Sequence, residues 1–151
     1  MVSRFEQFCS SVSCIFHHVQ KIERVEMAKY GLKGPHAQCL LAMSRYPQGI
    51  TASRLCEVCD KDKAAISRTV AELEHEGLVE REDVNGSRYR AALRLTARGR
   101  EAAQRVDARA RFAVEKAGAG LTDAQREVFY AALNQIAANL QVISDEGLEE
   151  Q

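Results

Sequence analysis

Apolar positions fall into helical stripes along most of this chain. Phe5, Phe8, Val12, Ile15, Val19 and Ile22 recur at steps of three and four, which predicts a long amphipathic helix with a single seam. The run Tyr30-Gly31-Leu32-Lys33-Gly34-Pro35 breaks that helix. Pro35 suits the first turn of a second one, over roughly 35–45, bearing Leu40, Leu41 and Met43. Tyr46-Pro47-Gln48-Gly49 reads as a turn, followed by a short helix within 50–60 capped by Thr51. The next helix has Asp62 as its N-cap and Ile66, Val70 and Leu73 at i, i+4 and i+7. Gly77 ends it in the left-handed conformation, and Leu78 folds back on Leu73.

The period then changes to two. Tyr89, Ala91, Leu93 and Leu95 point to one side of a strand and Arg88, Arg90 and Arg94 to the other. Asn85-Gly86, just ahead, is the strongest short-range signal for a two-residue hairpin turn. Thr96 opens an Ala-rich, Arg-studded helix to about Lys116, interrupted by Gly118-Ala119-Gly120-Leu121. Thr122 and Gln125 form a capping box for a last helix, with Val128, Phe129, Ala132, Leu133, Ile136, Leu140 and Ile143 on one stripe. The fold class is therefore mainly α with a small two-stranded β-wing.

Composition narrows the functional classes. A chain of 151 residues with 46% hydrophobic and 28% charged content can bury one core. No apolar run reaches membrane-spanning length, and the first residues show no apolar segment followed by a cleavage site, so no membrane partner is expected. Five scattered cysteines do not form a disulfide framework and point to a reducing, cytoplasmic setting. Net charge is +0, which argues against a protein that coats nucleic acid. The charge is nevertheless polarised: Arg88, Arg90, Arg94, Arg98, Arg100, Arg105, Arg109 and Arg111 face only Glu101 and Asp107 within that span.

In order, the middle of the chain reads short helix, turn, helix, hairpin with a basic face, which is a winged helix-turn-helix. In that arrangement the second helix enters the major groove amino end first, so Lys61, Lys63, Ala64, Ser67 and Arg68 are the candidate DNA contacts. The wing arginines, Arg88 and Arg90, would reach the adjoining minor groove or backbone.

The segments from Ile66 to Asp83 and from Ser87 to Arg100 resemble the multiple-antibiotic-resistance regulator (MarR) family of bacterial transcription factors. The carrying residues are Ser67-Arg68, the exit Gly77-Leu78-Val79-Glu80-Arg81, Arg88 in the wing, and Leu95-Thr96-Ala97-Arg98-Gly99. Where the family often has Asp-Arg-Arg in the wing, this chain has Ser87-Arg88-Tyr89 with a further cation at Arg90, so base preference does not carry over. Asp83 stands as a brace for a wing arginine. The resemblance implies a single domain over 1–151, with a winged helix-turn-helix lobe at 33–100 and dimerisation helices at 1–30 and 112–147. It implies a homodimer on double-stranded DNA with a pseudo-palindromic operator, acting as a repressor released by a small-molecule or oxidant effector. The apolar stripes at 5–22 and 128–143 independently favour the dimer, because they exceed what one small lobe covers.

Cys56 and Cys59 form a Cys-x-x-Cys that would suit metal or redox chemistry. A structural zinc site wants four ligands, and neither a second pair nor suitably spaced His17, His18, His36 or His75 completes one, so no metal is expected. Packing of small residues is the favoured reading, and a thiol redox protein using Cys56/Cys59 is the rival from another class. A winged helix used only for protein contacts is a third reading. Cys9 falls where the hydroperoxide-sensing members of the resembled family keep their reactive thiol, although Ser13 and Gly34 stand where tyrosines would accompany it. His17 and His18 lie near the same seam and are candidates to line an effector pocket. Neither an enzyme nor a cofactor is expected.

Overall fold

Helix boundaries follow from local capping chemistry. A computed structural model describes residues 3–82 and 91–147. It contains helices α1 (Arg4–Ala28), α2 (Gly34–Ser44), α3 (Ala52–Cys59) and α4 (Lys63–His75), strands β1 (Val79–Glu82) and β2 (Ala92–Leu95), and helices α5 (Ala97–Ala117) and α6 (Asp123–Glu146). Ser3 and Glu6 exchange backbone N–H bonds in a capping box at the start of α1. Thr122 and Gln125 do the same for α6, at 3.2 and 2.9 Å. Pro35 occupies the first turn of α2, where the missing N–H is no loss. No helix among the described residues is long and apolar enough to cross a membrane.

The chain divides into two compact units, residues 1–109 and 110–151, with the boundary inside α5. In the first unit a core gathers Met27, Leu40, Met43, Leu55, Ile66, Val70, Leu73, Leu78 and Leu93, each 2% exposed or less. The stripe Ile66–Val70–Leu73 faces this core, as its spacing predicts. In the second unit α6 buries none of its residues.

β1 and β2 pair antiparallel, with Val79 opposite Leu95 and Glu82 opposite Ala92. Ile50 adds a bridge to Leu93 on the outer side of β2, with reciprocal backbone bonds of 3.0 and 2.9 Å. Ala91, Leu93 and Leu95 are buried, as the alternation predicts for that part of the return strand. The Asn85-Gly86 turn, like Asp83, Arg88 and Arg90, lies outside the described residues.

The exit of α4 is closed by two sets of bonds. Gly77, with φ +71°, donates to Glu74 O at 3.0 Å and Leu78 to Leu73 O at 2.9 Å, the paired bonds of a Schellman motif. Thr96 then grips the same loop. Its N–H donates to Leu78 O at 3.0 Å, and its hydroxyl donates to Gly77 O at 2.7 Å while accepting the Gly99 N–H at 3.0 Å. Gly99 is required because α5 lies against the Leu78 carbonyl, and a Cβ there would sit 1.9 Å from that oxygen. Gly99→Ala should therefore lower stability by about 1–3 kcal/mol, the usual range for forcing atoms into a packed site. A urea midpoint unchanged from the parent protein would contradict this close approach.

Candidate nucleic-acid interface

α3 and α4 are joined by a turn with polar caps at both sides. The Thr51 hydroxyl accepts the Arg54 N–H at 3.2 Å and opens α3. Asp60 ends α3 with φ +50°, a left-handed conformation that is uncommon away from glycine but tolerated by aspartate. The Lys61 N–H returns to Cys56 O at 3.1 Å. Asp62 then accepts the Ala65 N–H at 2.8 Å and starts α4. The amino end of α4 is thus presented at a sharp corner, with a carboxylate satisfying one of its orphan donors.

With Ile66, Val70 and Leu73 turned inward, the opposite face of α4 carries Ala64, Ser67, Arg68 and Ala71, all exposed. Their spacing of i, i+3, i+4 and i+7 makes one continuous strip. Ala71 was not among the residues singled out from sequence, although its seven-residue step from Ala64 is the signal that could have found it. Three of the four are small, so the helix can approach a surface closely, and Arg68 is the long cation among them. The acidic residues of α4 point elsewhere. Glu72 meets Lys33 Nζ at 3.1 Å and also His36 Nε2, and Glu74 takes Arg81 through a bidentate pair at 2.9 and 3.1 Å. The hydrogen bond from Lys33, and then that from His36, hold the Glu72 carboxyl below the usual carboxylate range. His36 is itself buried, accepting the Lys33 N–H at Nδ1 (2.8 Å), and so ties α2 to α4.

Lys63, Ala64, Ser67 and Arg68 occupy the first two turns of α4 and are exposed. Lys61 is exposed in the turn ahead of them, where its charge is felt by Glu23 of α1 and by Cys59. Burial pushes the Glu23 carboxyl up while Lys61 pulls it down. Several arginines of the basic span turn out to be bound to the protein itself. Arg94 donates to Gln48 O at 3.1 Å and pairs with Glu82 at 2.9 Å. Arg98 donates to Glu76 O and Arg100 to Leu95 O, each at 2.9 Å. Arg105 and Arg109 pair with Glu101 and Glu26.

On α1, Cys9, His17 and His18 are exposed, and the two imidazoles meet edge to face at 5.3 Å. Cys56 and Cys59 are half-buried against the core. The Cys59 sulfur lies 4.0 Å from that of Cys39 in α2 and 4.0 Å from Gln38 O. Among the described residues no group of three His, Cys, Asp or Glu side chains is placed to hold a metal ion.

Residues 30–88 match the model of the MarR family. No curated protein matches the chain. Among solved structures, a MarR-family transcriptional regulator from Silicibacter pomeroyi is 24% identical over 91% of this chain and 92% of its own, with a TM-score of 0.76. A MarR-family regulator from Listeria monocytogenes, solved in complex with 26-mer DNA, is 18% identical over 95% and 97%, with a TM-score of 0.80. A MarR protein from Peptoclostridium difficile reaches a TM-score of 0.82 at 18% identity over 93% and 92%. These likenesses establish a common fold.

The cap at the corner has a measurable role. Asp62→Ala should cost about 1 kcal/mol of folding stability, while Asp62→Asn keeps the acceptor and most of the stability. An equal loss for both substitutions in chemical denaturation would contradict capping as the function of that carboxylate.

Proposed function

We propose that this chain, which matches the MarR family model over residues 30–88 and has the winged-helix fold of solved MarR-family regulators, is a sequence-specific double-stranded DNA-binding transcriptional regulator. The observation that carries this reading is the exposed strip Ala64–Ser67–Arg68–Ala71, directly opposite a fully buried stripe on the same helix. Such a face is narrow enough to enter a major groove with its capped amino end leading, where Ser67 and Arg68 meet base edges or phosphate. The Listeria relative in complex with DNA supports DNA as the ligand. Arg88 and Arg90, with Asp83 as a brace, complete the contact from the wing.

The working form is a homodimer. Phe5, Ile15 and Ile22 on α1, and Val128, Phe129, Leu133 and Leu140 on α6, are exposed in the single chain. An apolar surface of that extent favours a second copy. Two-fold symmetry then sets a pair of α4 helices against a pseudo-palindromic operator. Repression follows from occupancy of that operator. Release follows when a small molecule or oxidant favours a spacing of the two helices that no longer fits successive major grooves. In this reading binding is the activity, and no catalytic step is involved.

The test is a pair of substitutions read against salt. Arg88→Ala should weaken binding to all duplexes and flatten the plot of log affinity against log salt by about one, as for loss of one phosphate contact. Arg68→Ala should weaken cognate binding by about 1–3 kcal/mol and random duplex less, as for loss of a base contact. Indifference of the parent protein to duplex DNA at low salt would overturn the proposal.

A further inference from the structure

The sequence pairs Cys56 with Cys59 by spacing, but the fold pairs Cys59 with Cys39. Cys39 is buried in α2, 20 positions upstream, with its Sγ 4.0 Å from Cys59 Sγ at the last residue of α3. Cys59 is half-buried, less enclosed than Cys39. Beyond it come Asp60 in the left-handed conformation, Lys61, and the N-cap of α4. We infer that Cys39 and Cys59 form a dithiol which a two-electron oxidant of the hydroperoxide class closes to a disulfide, tying α2 to the end of α3 and displacing the amino end of α4.

Three features of the site suit this chemistry. The Cys59 thiol is pulled down to about 7, first by the hydrogen bond from Cys39, with Lys61 and Arg45 adding positive charge against the opposing effect of burial. The Cys39 thiol is pushed up by the same hydrogen bond and by burial, so it keeps its proton and waits as the second partner. Bonded sulfurs lie about 2.05 Å apart, so a pair now at 4.0 Å must close by about 2 Å. α2 is anchored in the core through Leu40 and Met43, each 2% exposed or less. α3 is likewise anchored, by the fully buried Leu55, so whatever side-chain rotation does not close falls on the last turn of α3 and on the Asp60–Asp62 corner that leads into α4.

The electrons balance within the pair and the oxidant. The Cys59 thiolate attacks one peroxide oxygen and breaks the O–O bond, giving a sulfenic acid and a hydroxide that takes up the proton lost from Cys59. Cys39 sulfur then attacks the Cys59 sulfur, and its thiol proton leaves with the sulfenic hydroxyl as a second water. Two thiols lose two electrons, and hydrogen peroxide becomes two waters.

The consequence for DNA rests on the regulatory reading above, whereas the bond itself does not. Full-length reduced protein treated with hydrogen peroxide, alkylated and digested, should yield a linked peptide pair joining the Cys39 segment to the segment carrying Cys56 and Cys59. The link should persist in Cys56→Ser and vanish in both Cys59→Ser and Cys39→Ala. A bridge confined to Cys56–Cys59, links only through Cys9 or Cys14, or no bridge at all would overturn the inference. Oxidation of the parent protein should reduce duplex affinity roughly tenfold, reversed by dithiothreitol and absent in Cys59→Ser, a coupling of ordinary allosteric size. Bridge formation with unchanged affinity would overturn the coupling to α4. Bridge formation in a protein that ignores DNA even when reduced would instead count against the regulatory reading and leave the dithiol standing.

Discussion

The carbonyl groups at the exit of α4 are the constraint on which the lobe is built. A helix leaves its last carbonyls without partners, and buried ones must be satisfied. Here Leu73 and Glu74 are served by the Leu78 and Gly77 amides, Gly77 and Leu78 by Thr96, and Glu76 by Arg98. One short segment, Thr96 to Gly99, thereby fixes the end of α4, the start of β1 and the first turn of α5 together. The close approach of Gly99 to Leu78 is what permits it. Because α4 is secured through its buried stripe and its carboxyl end, its outer face can consist of small residues and one arginine.

That arrangement also explains why charge counting overstates the basic surface. Eight arginines in 24 positions suggest a phosphate-binding belt, yet Arg94, Arg98 and Arg100 donate to main-chain carbonyls of the protein itself. A guanidinium is well suited to this, having several donors in a rigid plane and a stem that packs along apolar surface. Arg98 reaches a carbonyl 22 positions away and Arg94 one 46 away, and nothing in a linear charge pattern marks such partners. Lys61, Lys63 and Arg68 are exposed at the α4 entry, where the regulatory reading puts the DNA contact together with the wing arginines.

Local chemistry was legible in the sequence, whereas long-range pairing was not. Thr51, Asp62 and Thr122 cap α3, α4 and α6, as their places ahead of the apolar stripes predict, and Gly77 takes the positive φ its position demands. Each of these depends on residues within four positions of one another. His36, considered in sequence only as a possible ligand, is a buried connector between α2 and α4. The Cys-x-x-Cys spacing drew attention to Cys56, while the sulfur beside Cys59 comes from another helix. The apolar stripes of α1 and α6 are legible as periodicity, and their exposure in the single chain is what the dimer proposal rests on.

Selection of bound duplexes from a random pool tests the central claim most directly, since it reports both what α4 reads and how many copies read it. The account predicts enrichment of an inverted repeat whose half-sites are centred about 10 base pairs apart, one turn of the double helix. Recovery of no shared sequence, or of an isolated half-site without its mirror, would contradict it.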